Sequence, residues 1–157
     1  MRSGKITRRK KMMRQSRYRG YLRGDIYTRW LEGDGHRDME ITQHAEYVDE
    51  RGSHWWIVPG DVVNGAGRKW VSRSLGWLAC CVLPKYVGRY RVASVFHDVY
   101  CQNKERPSWE VHRMFYELMR YKGVGPIQAF VMWLFVRVFG PRFKGTKQWF
   151  RLRSLRW

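Results

Sequence analysis

Ser94, His97, Asp98 and Cys101 fall at i, i+3, i+4 and i+7, the spacing that sets four side chains on one helical face. Each type can ligate a metal, carry a proton or act as a nucleophile. His112 follows in RPSWEVHRMF, and an antiparallel hairpin through CQNKERPS would bring its ring towards His97 and Asp98. Two kinds of chemistry suit this trio. Imidazoles titrate near neutrality and are common metal ligands, so His97, Asp98 and His112 could hold a divalent cation that activates water, with Asn64 or Asp61 orienting a substrate. In the other reading Asp98 accepts hydrogen bonds while His97 and His112 are satisfied polar core groups that pin two helices. Both remain open on the residues alone.

The elements that must position these residues are read from periodicity. Beside the polar stripe runs an apolar one, Val92, Val95, Phe96 and Val99, so a helix is expected over 87–101. The next begins at Arg106-Pro107-Ser108, with Pro suited to a first turn and Glu110 to the positive end of the helix dipole. It buries Val111, Met114, Phe115, Leu118 and Met119 and stops at Gly123. Upstream, RKWVSRSLGWLACCVL (68–83) predicts a helix ended by Pro84. Downstream, GPIQAFVMWLFVRVFG (125–140) is apolar on almost every side. A membrane span needs roughly 20 such residues, so this run predicts a central helix buried by its neighbours, and membrane association is not expected.

The front half has a different period. DIYTRWL (25–31) and DMEITQHAEYV (38–48) alternate loosely around GDG at 33–35, which suits a hairpin, and HWWIVPG (54–60) adds a third strand. The fold class expected is therefore α+β, a small antiparallel sheet followed by about four packed helices. At 157 residues, with nine Trp, nine Tyr and seven Phe, the chain suits one aromatic-rich domain.

Charge divides the chain into three. Residues 1–23 hold ten Lys or Arg and residues 142–157 hold six, neither with an acid, out of a net charge of +18. The body, 24–141, is nearly neutral with 15 basic and 13 acidic residues. Polyanion binding is thus expected in a basic N-terminal arm (Arg8, Arg9, Lys10, Lys11, Arg14) and a basic aromatic C-terminal tail (Arg151, Arg153), where Trp and Phe could stack on bases. Three cysteines, Cys80, Cys81 and Cys101, form neither an even framework nor a CxxC pair, which points to a reducing compartment. The basic start lacks a following apolar region, so a secretory signal is not expected.

The adjacent His97-Asp98 resembles the doublet of HD phosphohydrolases, but no Asp follows Asp98, so that family's closing ligand has no counterpart. A closer resemblance joins VPGDVVNGAGRKW (58–70), YVGRYRVASVFHDVYC (86–101) and RPSWEVHRMFYELMRYKGVG (106–125). In this order they are similar to a phage and prophage family of unknown function, number 1353. Its pattern is matched at Gly88, Tyr90, Ala93, His97, Asp98, Tyr100, Arg106, His112, Arg113, Phe115, Gly140 and Pro141, across positions 25–143. The loop departs from it: Asn64 stands for the usual Asp, Gly67 for the Ser, and Arg68-Lys69-Trp70 for the Ile-Pro-Arg. The resemblance implies a tailed phage or prophage in a bacterial host. Two functions follow as expectations: an accessory or virion-associated protein whose tails contact nucleic acid or other virion proteins, or a metal-assisted hydrolase. The chain has no HExxH motif and no phosphate-cradling glycine loop.

Overall fold

The computed structural model describes residues 20–31, 38–63 and 88–145. They form an α+β structure with two three-stranded antiparallel sheets instead of the single sheet expected. One sheet has the order β1-β4-β5, from β1 (Tyr21–Arg23), β4 (Ala45–Val48) and β5 (His54–Ile57). The other has the order β2-β3-β6, from β2 (Thr28–Trp30), β3 (Met39–Ile41) and β6 (Val62–Val63).

The hairpin expected around GDG is present, with Thr28 opposite Ile41 and Trp30 opposite Met39. The single strand expected over 38–48 divides, because Thr42 donates to the Tyr27 carbonyl at 3.0 Å and the chain then crosses to the other sheet. There Ala45 faces Ile57 and Tyr47 faces Trp55, all four buried. Every residue of β4 is buried, Glu46 included, and alternation does not foresee that. The Glu46 carboxylate tolerates burial because it accepts from His54 at 2.5 Å and from the Trp56 indole at 3.2 Å. Strand β1 also corrects the sequence reading: Tyr21–Arg23, assigned to the basic arm, pair with Val48, Tyr47 and Glu46. Three residues are too few for a period to register.

Asp49 organises the β4–β5 turn. Its Oδ1 accepts from the backbone of Arg51 and Ser53 at 2.9 and 2.8 Å, while Gly52 adopts φ +75. Asp and Gly suit those places because a short carboxylate mimics a turn carbonyl and Gly carries no Cβ.

Three helices follow among the described residues: α1 (Arg91–Asn103), α2 (Ser108–Tyr121) and α3 (Pro126–Phe139). The helix expected over 68–83 lies outside the described residues. The stripe expected on α2 is buried at all five positions, and α1 buries Val95, Phe96 and Val99, with Val92 only partly covered. Lys104, at φ 53, turns the chain from α1 into α2.

The expectation for the apolar run is corrected by α3. It packs on α2 through a narrow stripe, and only Ala129 and Met132 are buried, whereas Ile127 is 79% exposed and Phe130 50%. An all-round apolar sequence permits burial on every side, but the neighbours must be there to provide it. No helix among the described residues is long and apolar enough to cross a membrane.

The stop after α3 is steric. Gly140 donates to the Val136 carbonyl at 2.8 Å, and a Cβ on Gly140 would lie 2.1 Å from that oxygen and 3.1 Å from the His112 ring. Gly125, before α3, has open space around it. Gly140→Ala should therefore destabilise the protein by about 3 kcal/mol in urea unfolding, as overpacking does. Gly125→Ala should change stability by less than about 1 kcal/mol. Equal effects at the two glycines would contradict this account of the α3 stop.

Candidate functional site

The hairpin between α1 and α2 brings His97 and His112 together, as their spacing suggested. His97 Nε2 lies 3.1 Å from His112 Nδ1, and the rings are 5.3 Å apart between centres. Phe115 covers His97 at 4.9 Å, and the Cys101 thiol, one turn along α1, sits 3.5 Å from His97 Nε2. Asp98 is buried on the same helix but takes no part in the imidazole contact, and it has interactions of its own. No three His, Cys, Asp or Glu side chains among the described residues converge as a metal site.

Electrostatics suit a hydrogen-bonded pair. The His97 pKa is pushed down to about 3, by burial first and then by His112. That of His112 is pushed down to about 4, by burial and then by the charge of Arg137, with the Pro141 carbonyl opposing. At neutral pH both rings are uncharged, so one can donate and the other accept. Burial raises the Cys101 thiol to about 12, reinforced by Asp98, which removes it as a thiolate nucleophile at neutral pH.

Other conspicuous residues of the sequence motif are joints between sheet and helices. The Tyr100 hydroxyl accepts from the Trp56 backbone at 2.9 Å, and its ring meets Trp55 edge-on at 4.9 Å. Arg106 stacks over Trp55 at 4.2 Å and donates to the His54 carbonyl at 2.8 Å. Arg113 reaches the buried carboxylate of Asp49 at 3.2 Å and also pairs with Glu117 at 3.3 Å. The same Asp49 oxygen accepts from the Trp55 indole at 3.2 Å. Asp49 and Trp55 escaped the sequence reading; the signal available was an Asp opening a Gly-containing turn beside an aromatic strand.

The remaining candidates separate. Asp61 is committed to its own turn, where Oδ2 accepts from the Val58 backbone at 2.9 Å. Ser94 is half-buried on α1, with its backbone N–H donated to the Tyr90 carbonyl at 2.9 Å. Asn64, Cys80, Cys81, Arg8, Arg9, Lys10, Lys11, Arg14, Arg151 and Arg153 lie outside the described residues.

Residues 39–136 match the family model described as "Protein of unknown function (DUF1353)", and the chain belongs to that family. It is also 30% identical over 112 residues to "Uncharacterized protein y4jT" of Sinorhizobium fredii (strain NBRC 101917 / NGR234). That alignment covers 71% of this chain and 32% of the relative, so the chain spans about a third of the relative's length. No solved structure matches.

The buried pair fixes a pH dependence. Both histidines have folded pKa values below the ordinary 6.5, so their contribution to stability is complete above pH 6.5 and is lost as pH falls towards 4 and 3. Burial shifts His44 in the same direction. Glu117, raised by burial, runs the other way: its contribution is present at low pH and lost as pH rises. With the histidines outnumbering it, urea midpoints should fall between pH 6.5 and 4, and the fall should shrink in His97→Phe protein. Constant midpoints across that window would contradict a buried neutral pair.

Proposed function

We propose that the protein is a phage- or prophage-encoded accessory or virion-associated protein, acting in the bacterial cytoplasm or the virion. Its basic terminal segments bind nucleic acid or a similarly charged partner, and its α+β body carries them. The segregation of charge supports this reading above all else: 16 basic residues and no acid in the two terminal segments, against a nearly balanced body. The motif residues of the body are engaged in holding helices and sheet together, which leaves them suited to a scaffold. Metal-assisted hydrolysis draws less support. His97 and His112 spend ring nitrogens on each other, and Asp98 stands apart from their contact.

The test uses the intact fold. Because Tyr21–Arg23 belong to a sheet, the arm is best neutralised by substitution, with Arg8, Arg9, Lys10, Lys11 and Arg14 all changed to Gln. Binding to duplex DNA, followed by fluorescence anisotropy over a salt series, should weaken steeply with salt. The log–log slope should become shallower by about 4.5 in the substituted protein, since each of the five lost phosphate contacts contributes about 0.9. An unchanged slope would show that the arm does not touch the polyanion.

A further inference from the structure

An open groove of about 690 Å³ lies where the end of α3 and the segment following it meet the start of α2. Among the described residues it is lined by Ser108 and His112 of α2, Arg137 of α3, and Arg142, Phe143 and Lys144 beyond it. This wall is anchored. The Phe143 carbonyl accepts from the Ser108 backbone at 3.0 Å, and Gly145, at φ +80, packs so closely on Arg106 and Pro107 that a Cβ would meet their backbone at 2.5 Å.

The described lining has three cations and no carboxylate. Among the described residues, none of Arg137, Arg142 and Lys144 forms an ion pair, whereas Glu40, Glu46, Asp49, Glu110 and Glu117 pair with Arg23, Arg29, His54, Arg106 and Arg113. Arg137 leans over the Trp133 ring at 5.9 Å. His112 is 2% exposed, and while its Nδ1 faces His97, its Nε2 is buried with no hydrogen-bond partner. The Pro141 carbonyl lies near enough to act on this ring as a weak acceptor, short of the geometry of a full hydrogen bond, so the donor is at best partly satisfied. When His97 donates to Nδ1, the His112 proton sits on Nε2, leaving a buried donor beside three unneutralised cations. An unsatisfied buried donor is costly, and an anionic acceptor would satisfy it and the cations together.

We propose that this groove binds a phosphate-class oxyanion, held by Arg137, Arg142 and Lys144 and by a hydrogen bond from His112 Nε2. The site is separate from residues 1–23 and does not rest on the proposal that those residues bind nucleic acid. A free phosphate and a nucleic-acid phosphodiester share the required chemistry.

The probe is inorganic phosphate, titrated calorimetrically into the full chain at constant ionic strength with chloride as the balancing anion. Saturable one-to-one binding is expected, weakened at least tenfold in Arg137→Gln and in Arg142→Gln, both exposed positions where folding is undisturbed. Histidine-selective 15N NMR should show the His112 signals moving with phosphate while those of His54 stay in place. The protein with its five arm cations changed to Gln should bind phosphate as the parent does. Displacement of phosphate by oligothymidylate would assign the site to a phosphodiester, and its absence to the free anion. Binding that does not saturate, that survives both Arg substitutions, that leaves His112 unmoved, or that vanishes in the arm variant would overturn the proposal.

Discussion

Two imidazoles facing each other at 3.1 Å between α1 and α2 constrain much of what surrounds them. Such a contact needs at least one ring with a free lone pair and is lost when both are protonated, so burial that keeps the rings uncharged at neutral pH preserves it. Phe115 covers one ring, the carboxylate of Asp98 stays out of the contact, and Arg137 disfavours protonation of the other ring. Close approach to His112 also demands that residue 140 lack a side chain, which joins the helix pair to the turn that ends α3. A hydrogen bond of this kind contributes about 1 kcal/mol, so it selects the helix register and does not by itself supply the fold's stability.

The stronger connection is the seam between sheet and helices. Asp49 is fully buried as a carboxylate and is acceptable there only because backbone, indole and guanidinium donors all converge on it. Arg113 supplies the guanidinium from the residue next to His112, while Arg106 and Tyr100 grip the neighbouring strand. Residue types that elsewhere perform catalysis are used here to join layers, which is why a stripe of His, Asp and Cys can be read either way. The difference is made by what each atom faces.

Much of this was legible in the sequence. The apolar stripes of α1 and α2 follow a 3.6-residue period, and the hairpin between them is the only short route from His97 to His112, so helices and pair were foreseeable together. Strand β1 was not, since three residues within a run of Arg carry no pattern. Nor was the separation of β3 from β4, because the crossing at Thr42 is set by a hydrogen bond to Tyr27, a residue distant along the chain. Asp98 misled for a simple reason: adjacent helix positions point about 100° apart, so His97 and Asp98 need not serve one site. The groove at the end of α3 could not be seen at all. Its cations come from two segments whose approach depends on Gly140 and Gly145.

His97 and His112 thus form a structural bond. Its most direct test is a double-mutant cycle on His97→Ala and His112→Ala, with unfolding free energies measured at neutral pH with and without EDTA. A coupling of about 1 kcal/mol that is the same in both media is the predicted result. Additive losses, or a coupling that disappears with the chelator, would contradict it and return the pair to the role of metal ligands.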